Sequence, residues 1–208
     1  EEQAEKMLFY IEHLAKFNAQ LHTGLFADAE LENLALQIGE KLESIVNQLF
    51  IESINNEYLI EIDTEKRNVL HVFTHIANVG GHTRIVKNWF RLDHKNTCHH
   101  ILLLNQKEEI PSFINDLLSQ EIIQLPVAES RLRKAYILRH ILQTNRFQNV
   151  ILHTHPHDTV PTVALANDVS CSVALFNHAD HLFGLGSSVI DVMLDFRGFS
   201  QELSLIHI

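Results

Sequence analysis

Three short segments of this 208-residue chain bring together side chains suited to chemistry. The first is Asn78-Val79-Gly80-Gly81-His82-Thr83-Arg84, which follows the apolar run at 69–73 and precedes an amphipathic stretch. Adjacent glycines let a backbone approach a ligand closely, Thr83 is placed to cap a helix, and the N–H groups of a helix start suit a phosphate or diphosphate. Arg84 can add a charge-assisted contact. The pattern is not GxGxxG, so a nicotinamide or flavin fingerprint is absent. The second segment is His153-Thr154-His155-Pro156-His157-Asp158. Histidines at alternate positions invite a metal. In an extended chain, however, His153 and His157 stand roughly 13 Å apart at ~3.3 Å per residue, too far to share one ion. His153 is expected inside the sheet, with His155, His157 and Asp158 crowning its end. The third segment is Asn177-His178-Ala179-Asp180-His181, where a histidine just past a strand is placed for proton transfer or for hydrogen bonding to a hydroxyl.

These segments need a scaffold that delivers them to one edge. After about residue 66, short apolar β-branched runs at 69–73, 100–104, 122–125, 150–153, 171–176 and 189–194 alternate with helix-like stretches at 83–90, 112–118, 129–142 and 160–166. This alternation predicts an α/β fold, a Rossmann-like parallel sheet of about six strands flanked by helices. In such sheets ligands gather beyond the carboxyl ends of the strands, where all three segments fall. Residues 1–66 read as a helical hairpin. Met7, Leu8, Ile11, Leu14 and Phe17 mark one helix, and Leu31, Leu34, Ile38, Leu42, Ile45 and Leu49 mark a longer one. Two domains follow from this reading, 1–66 and 67–208.

Composition narrows the function further. Sixteen Lys and Arg against 26 Asp and Glu give a formal net charge of -10, and the basic residues are scattered apart from Arg131, Arg133 and Lys134, so nucleic acid is not an expected partner. No apolar run approaches the ~18 residues of a membrane span, and a cytoplasmic protein is expected. Cys98 and Cys171 match no metal or disulfide spacing. The chain begins without Met and stops at an apolar Leu205-Ile206-His207-Ile208, which reads as a piece of something longer.

Residues 68–208 resemble the N-terminal, acceptor-side half of a GT-B glycosyltransferase. Gly80-Gly81-His82-Thr83-Arg84 is similar to that fold's glycine loop, Leu152-His153-Thr154-His155-Pro156 to its strand-end segment, and Phe176-Asn177-His178 to the strand end whose histidine contacts the transferred sugar. The most specific match runs from Asn177 through Asp180 and His181 to Leu182-Phe183-Gly184-Leu185-Gly186. The resemblance implies His178 and His155 as catalytic residues. Substrate contacts would come from Gly80, Gly81, His82, Thr83, Arg84, His157, Asp158, Asn177, Asp180 and His181. The implied substrates are a sugar acceptor, with a hydroxyl or amine nucleophile, and a nucleotide sugar as co-substrate. No cofactor and no essential ion are expected, because helix N-termini and arginine can offset diphosphate charge. The donor-binding domain of such enzymes is not in these 208 residues, so the fragment by itself is expected not to turn over.

Two other readings stand beside this one. A metal-dependent hydrolase would use His153, His155, His157 and Asp158. The His-Thr-His-Pro string resembles the zinc motif of JAMM deubiquitinases, although Val163 and Ala166 occupy the places of its serine and aspartate. A non-catalytic binding or scaffolding module would engage a partner, or a second copy, through the N-terminal helices.

Overall fold

The computed structural model describes residues 1–21, 23–55, 57–117, 122–167, 169–179 and 181–195. Four helices come first: α1 (Glu2–Leu21), α2 (Ala29–Glu40), α3 (Leu42–Ile45) and α4 (Gln48–Ile54). Strands and helices then alternate as β1 (Arg67–Phe73), α5 (Gly81–Asp93), β2 (Thr97–Leu103), α6 (Ser112–Leu117), β3 (Ile122–Gln124), α7 (Arg131–Thr144), β4 (Asn149–His153), α8 (Val160–Ala164), β5 (Ser172–Asn177) and β6 (Val192–Asp195). The six strands form one sheet in the order β3-β2-β1-β4-β5-β6, with every neighbouring pair parallel. This is the Rossmann-like sheet expected from the apolar runs. Strand order reverses between β1 and β4, so the loops leaving these two strands diverge there and open a crevice.

Local chemistry sets the helix boundaries. Asp28 accepts the amides of Glu30 and Leu31 to start α2, Asn47 accepts those of Leu49 and Phe50 to start α4, and the Ser130 hydroxyl accepts the Arg133 amide to start α7. The longer N-terminal helix expected over residues 31–49 is three helices, interrupted at Lys41 and Val46. The interruption escapes a periodicity reading because the apolar positions keep their phase across the breaks. Gly39 lies where α2 crosses α8, and a Cβ there would stand 2.4 Å from the Val163 carbonyl oxygen and 2.5 Å from the Ala166 Cβ. Glycine is needed here for this close approach.

One large apolar cluster joins the N-terminal helices to the sheet. Leu8, Ile11 and Ala15 of α1 and Leu31 and Ala35 of α2 share it with Leu70, Val72, Leu102 and Leu152 of the strands and Leu138 of α7. The opposite face of the sheet is covered by α5 and α6, against Phe73, Ile101 and Leu103. Between Phe73 and α5 lies an unusual polar inclusion. Parallel strands are normally filled with Val, Ile and Leu, yet His71 of β1, His99 of β2 and His153 of β4 form a diagonal across this face. His71 Nδ1 and His153 Nε2 share a hydrogen bond of 2.9 Å, and His71 Nε2 and His99 Nδ1 share one of 3.0 Å. His99 Nε2 stands 4.0 Å from the Asp93 carboxylate. Trp89 and Phe90 of α5 cover the His71 ring. Each imidazole partners the next, which offsets much of the cost of burying them. Burial holds His71 well below the ordinary histidine range and His99 at about 4, so both are neutral at physiological pH.

Candidate functional site

The Thr74 side chain ties the chain leaving β1 to the chain leaving β4. The Thr74 hydroxyl donates to Asp158 at 2.5 Å and accepts the His155 amide at 2.9 Å. Asp158 also accepts the Val160 amide at 3.0 Å, which fixes the start of α8. The loop after β5 joins the same edge, because the Leu185 amide donates to the Pro156 carbonyl at 2.7 Å and Gly184 packs on Pro156. Behind them Arg139 of α7 anchors α8. Its guanidinium donates to the carbonyls of Ala164 and Val163 at 2.8 and 2.7 Å and pairs with Glu43. From the other side Glu32 of α2 accepts the Gly186 amide at 2.6 Å and the Ser188 hydroxyl.

Two cavities flank this junction. The larger, about 400 Å³, opens between the ends of β1, β2 and β4, the start of α7 and α1. His75, His155, His157, Asp158 and Thr74 line it, together with Asn105, Gln106, Glu12, Arg131 and Lys134. The smaller, about 40 Å³, lies between the ends of β4 and β5 and is lined by His155, Asn177 and His178 with Phe176 and Leu182. His155 belongs to both. Its ring centre is 4.6 Å from that of His75 and 5.3 Å from that of His157.

Burial favours the neutral form of His155, His157 and His178. Burial, reinforced by His75, His157 and His178, lowers His155 to about 4. Burial also lowers His157, with Glu12 and Asp158 opposing, and lowers His178, with the Phe176 carbonyl opposing. His178 Nδ1 is 3.4 Å from that carbonyl oxygen, which favours a proton on Nδ1 and a lone pair on Nε2. Asp158 is raised by burial, against the stabilising Thr74 and Val160 hydrogen bonds. Neutral histidines beside a crevice can accept a proton or a hydrogen bond from a bound hydroxyl.

The residues singled out from sequence fall into distinct places. His155, His157 and Asp158 line the larger cavity, and Asn177, His178 and His155 the smaller. The Asn177 amide donates to Asp195 at 2.7 Å, which orients it. Gly80 and Gly81 begin α5 beyond β1 on the same carboxyl edge but line neither cavity. Gly80 has φ 155° and ψ 158°, a conformation suited to glycine, and a Cβ on Gly81 would meet nothing within 4 Å. Thr83 does not cap α5: Gly80 is the N-cap, and the buried Thr83 hydroxyl donates instead to the Ala77 carbonyl at 2.9 Å. That bond pins the turn rather than presenting the hydroxyl to a ligand. Arg84 and His181 are exposed, the His82 backbone lies in the first turn of α5, and Asp180 lies outside the described residues. His153 is buried in the imidazole diagonal, as its place in the strand predicts. It and Asp158 therefore serve different partners, and among the described residues no group of three or more His, Cys, Asp or Glu is arranged to hold a metal ion.

Sequence reasoning missed the residues that reach the larger cavity from other elements: Thr74, Asn105, Gln106, Glu12 of α1 and Lys134 of α7. One signal was present, since Arg131, Arg133 and Lys134 form the densest basic cluster of the chain. No helix among the described residues is long and apolar enough to cross a membrane. Comparison with protein-family models and with curated proteins found no match.

Proposed function

We propose that residues 67–208 form the acceptor-side domain of a cytoplasmic glycosyltransferase that moves a sugar from a nucleotide-activated donor to an acceptor hydroxyl or amine. The observation that carries this reading is the meeting of three loops on one carboxyl edge of a parallel sheet, with His155 shared by two cavities and His178 in the smaller. Glycosyl transfer needs a positioned nucleophile, a group to take its proton, and N–H or cationic donors for the departing diphosphate. Neutral His155 and His178 suit the proton, the larger cavity suits the acceptor, and the open Gly80-Gly81 start of α5 suits an approaching phosphate. The donor-binding domain would be contributed from outside these 208 residues. The test is a screen of full-length protein against radiolabelled UDP- and GDP-sugars with a cell extract as acceptor source. Label appearing in a product supports the reading. Its absence across the panel, with folded protein, opposes it.

A protein contact through the N-terminal helices is supported independently. Met7, Tyr10, Leu14, Phe17 and Leu21 follow one another at alternating spacings of three and four residues along α1, and each is 44–61% exposed. That spacing is the seam of a helix pair, and a contiguous apolar stripe of this kind marks an interaction surface. We assign it to a partner helix, which is compatible with the transferase role.

A further inference from the structure

Among the described residues, the larger cavity contains a buried cation with no carboxylate in ion-pair contact, the charges of Asp158, Glu129 and Glu5 acting on it only from farther off. Lys134 of α7 lines it and is only 6% exposed. Its ammonium has three donors, and its one hydrogen bond goes to a neutral acceptor, the Val127 carbonyl, at 3.3 Å. Among the described residues no carboxylate forms an ion pair with it. A buried charge without a partner is costly, so such a group is normally paired or supplied with a counter-ion by a ligand.

Of the carboxylates lining the cavity, Glu12, Glu129 and Asp158 are engaged by other groups, and Glu108 is exposed. Glu12 pairs with Arg131. Glu129 accepts the Ser130 amide at 3.0 Å and stands 3.6 Å from the Arg133 guanidinium. Asp158 is held by Thr74 and Val160. The amides at the start of α7, a natural anion position, are filled by Glu5 of α1, which accepts from Arg131 and Leu132 at 3.2 and 3.1 Å and from the Arg131 guanidinium at 3.0 Å. Lys134 is thus the buried cation of this cavity without a contacting carboxylate, whereas Lys107, which also lines it, is exposed. Asn105 lines the same cavity, and a volume of about 400 Å³ lies in the range of small-molecule sites.

We propose that this cavity binds an oxyanion, a carboxylate or phosphate, through Lys134. On the acceptor-side reading, on which only this extension rests, the acceptor is an acidic or phosphorylated compound and Lys134 orients it so that its nucleophile faces His155.

The protein is titrated with sodium phosphate and, separately, sodium acetate, with sodium chloride holding ionic strength constant. Thermal unfolding and the 13Cε signal of Lys134 are followed for the native sequence and for Lys134→Met. We expect a saturable rise in Tm and a shift of the Lys134 signal, with apparent affinity at least tenfold weaker in K134M. In chloride alone K134M should be at least as stable as the native protein, a result that a purely structural lysine would not give. A response to phosphate alone identifies a phosphorylated ligand, and one to acetate alone a carboxylate. Equal anion affinity in both proteins, or no response in the native one, overturns the proposal. If K134M does not fold, Lys134→Arg serves to assign the signal, and a signal unmoved by either anion overturns it equally. No nucleotide sugar is present, so failure here leaves the transferase reading standing, and failure of sugar transfer leaves the anion site standing.

Discussion

Replacing His99 by leucine should reduce the acid sensitivity of the fold while weakening it at neutral pH. In the native structure His99 is 5% exposed, and burial, only partly opposed by Asp93, lowers it to about 4. The unfolded chain has an ordinary histidine near 6.5. Between these values the unfolded state binds a proton that the folded state does not, so stability is present above about 6.5 and is lost as pH falls toward 4. From pH 7 to pH 5 this one group removes about 2 kcal/mol, from 1.36 kcal/mol per unit over the window in which only the unfolded state is protonated. His99→Leu deletes that loss. It also deprives His71 Nε2 of its 3.0 Å partner, which costs about 1–3 kcal/mol at pH 7 for an orphaned buried group. Urea unfolding measured from pH 8 to pH 5 should therefore give two converging lines, H99L lower at pH 7 and falling about 2 kcal/mol less by pH 5. Parallel lines would refute the reasoning, as would a His99 imidazole found by NMR to titrate near 6.5 in the folded protein.

Other consequences are as specific. Gly39→Ala places a methyl against the Val163 backbone oxygen, which cannot swing aside, so α2 and α8 must separate. Despite the better helix propensity of alanine, a net loss of about 1–3 kcal/mol is expected in urea unfolding, and unchanged stability would contradict the close approach. Glu32→Ala leaves the Gly186 amide without its acceptor and should cost about 1–3 kcal/mol, with the loop at 184–189 showing faster hydrogen exchange; unaltered exchange would argue against the tether. If the α1 stripe pairs two copies of the chain, light scattering will give a mass above the monomer that Leu14→Glu with Phe17→Glu reduces to monomer. A dimer indifferent to both charges would exclude α1 as the seam.

The sheet was legible because parallel strands buried on both faces read as unbroken apolar runs, and Val150-Ile151-Leu152 of β4 shows the pattern plainly. The crevice loops were legible because glycine, proline and histidine cluster just beyond those runs. What was not legible depended on through-space partners. Thr83 looked like a helix cap, but the Ala77 carbonyl three residues before Gly80 competes for its hydroxyl. His71 and His99 sit in strands that also carry buried Asn68 and His100, so residue type alone does not single them out, and only the registers β1–β2 and β1–β4 bring them into line with His153. Lys134 and Glu12 are helical surface residues by sequence. They become cavity residues only because α7 crosses from β3 to β4 and α1 lies against its first turn.

The central claim is that the imidazoles at the ends of β4 and β5 serve sugar transfer. It is tested most directly by steady-state transfer from a labelled nucleotide sugar in the full-length protein, comparing the native sequence with His178→Ala in the presence of EDTA. The account predicts a native rate indifferent to the chelator and a loss on the order of 10²–10⁴-fold in the variant with its circular dichroism unchanged, the range for removal of a general acid or base. A variant that transfers sugar at the native rate, or a native activity abolished by EDTA and restored by zinc, would contradict it.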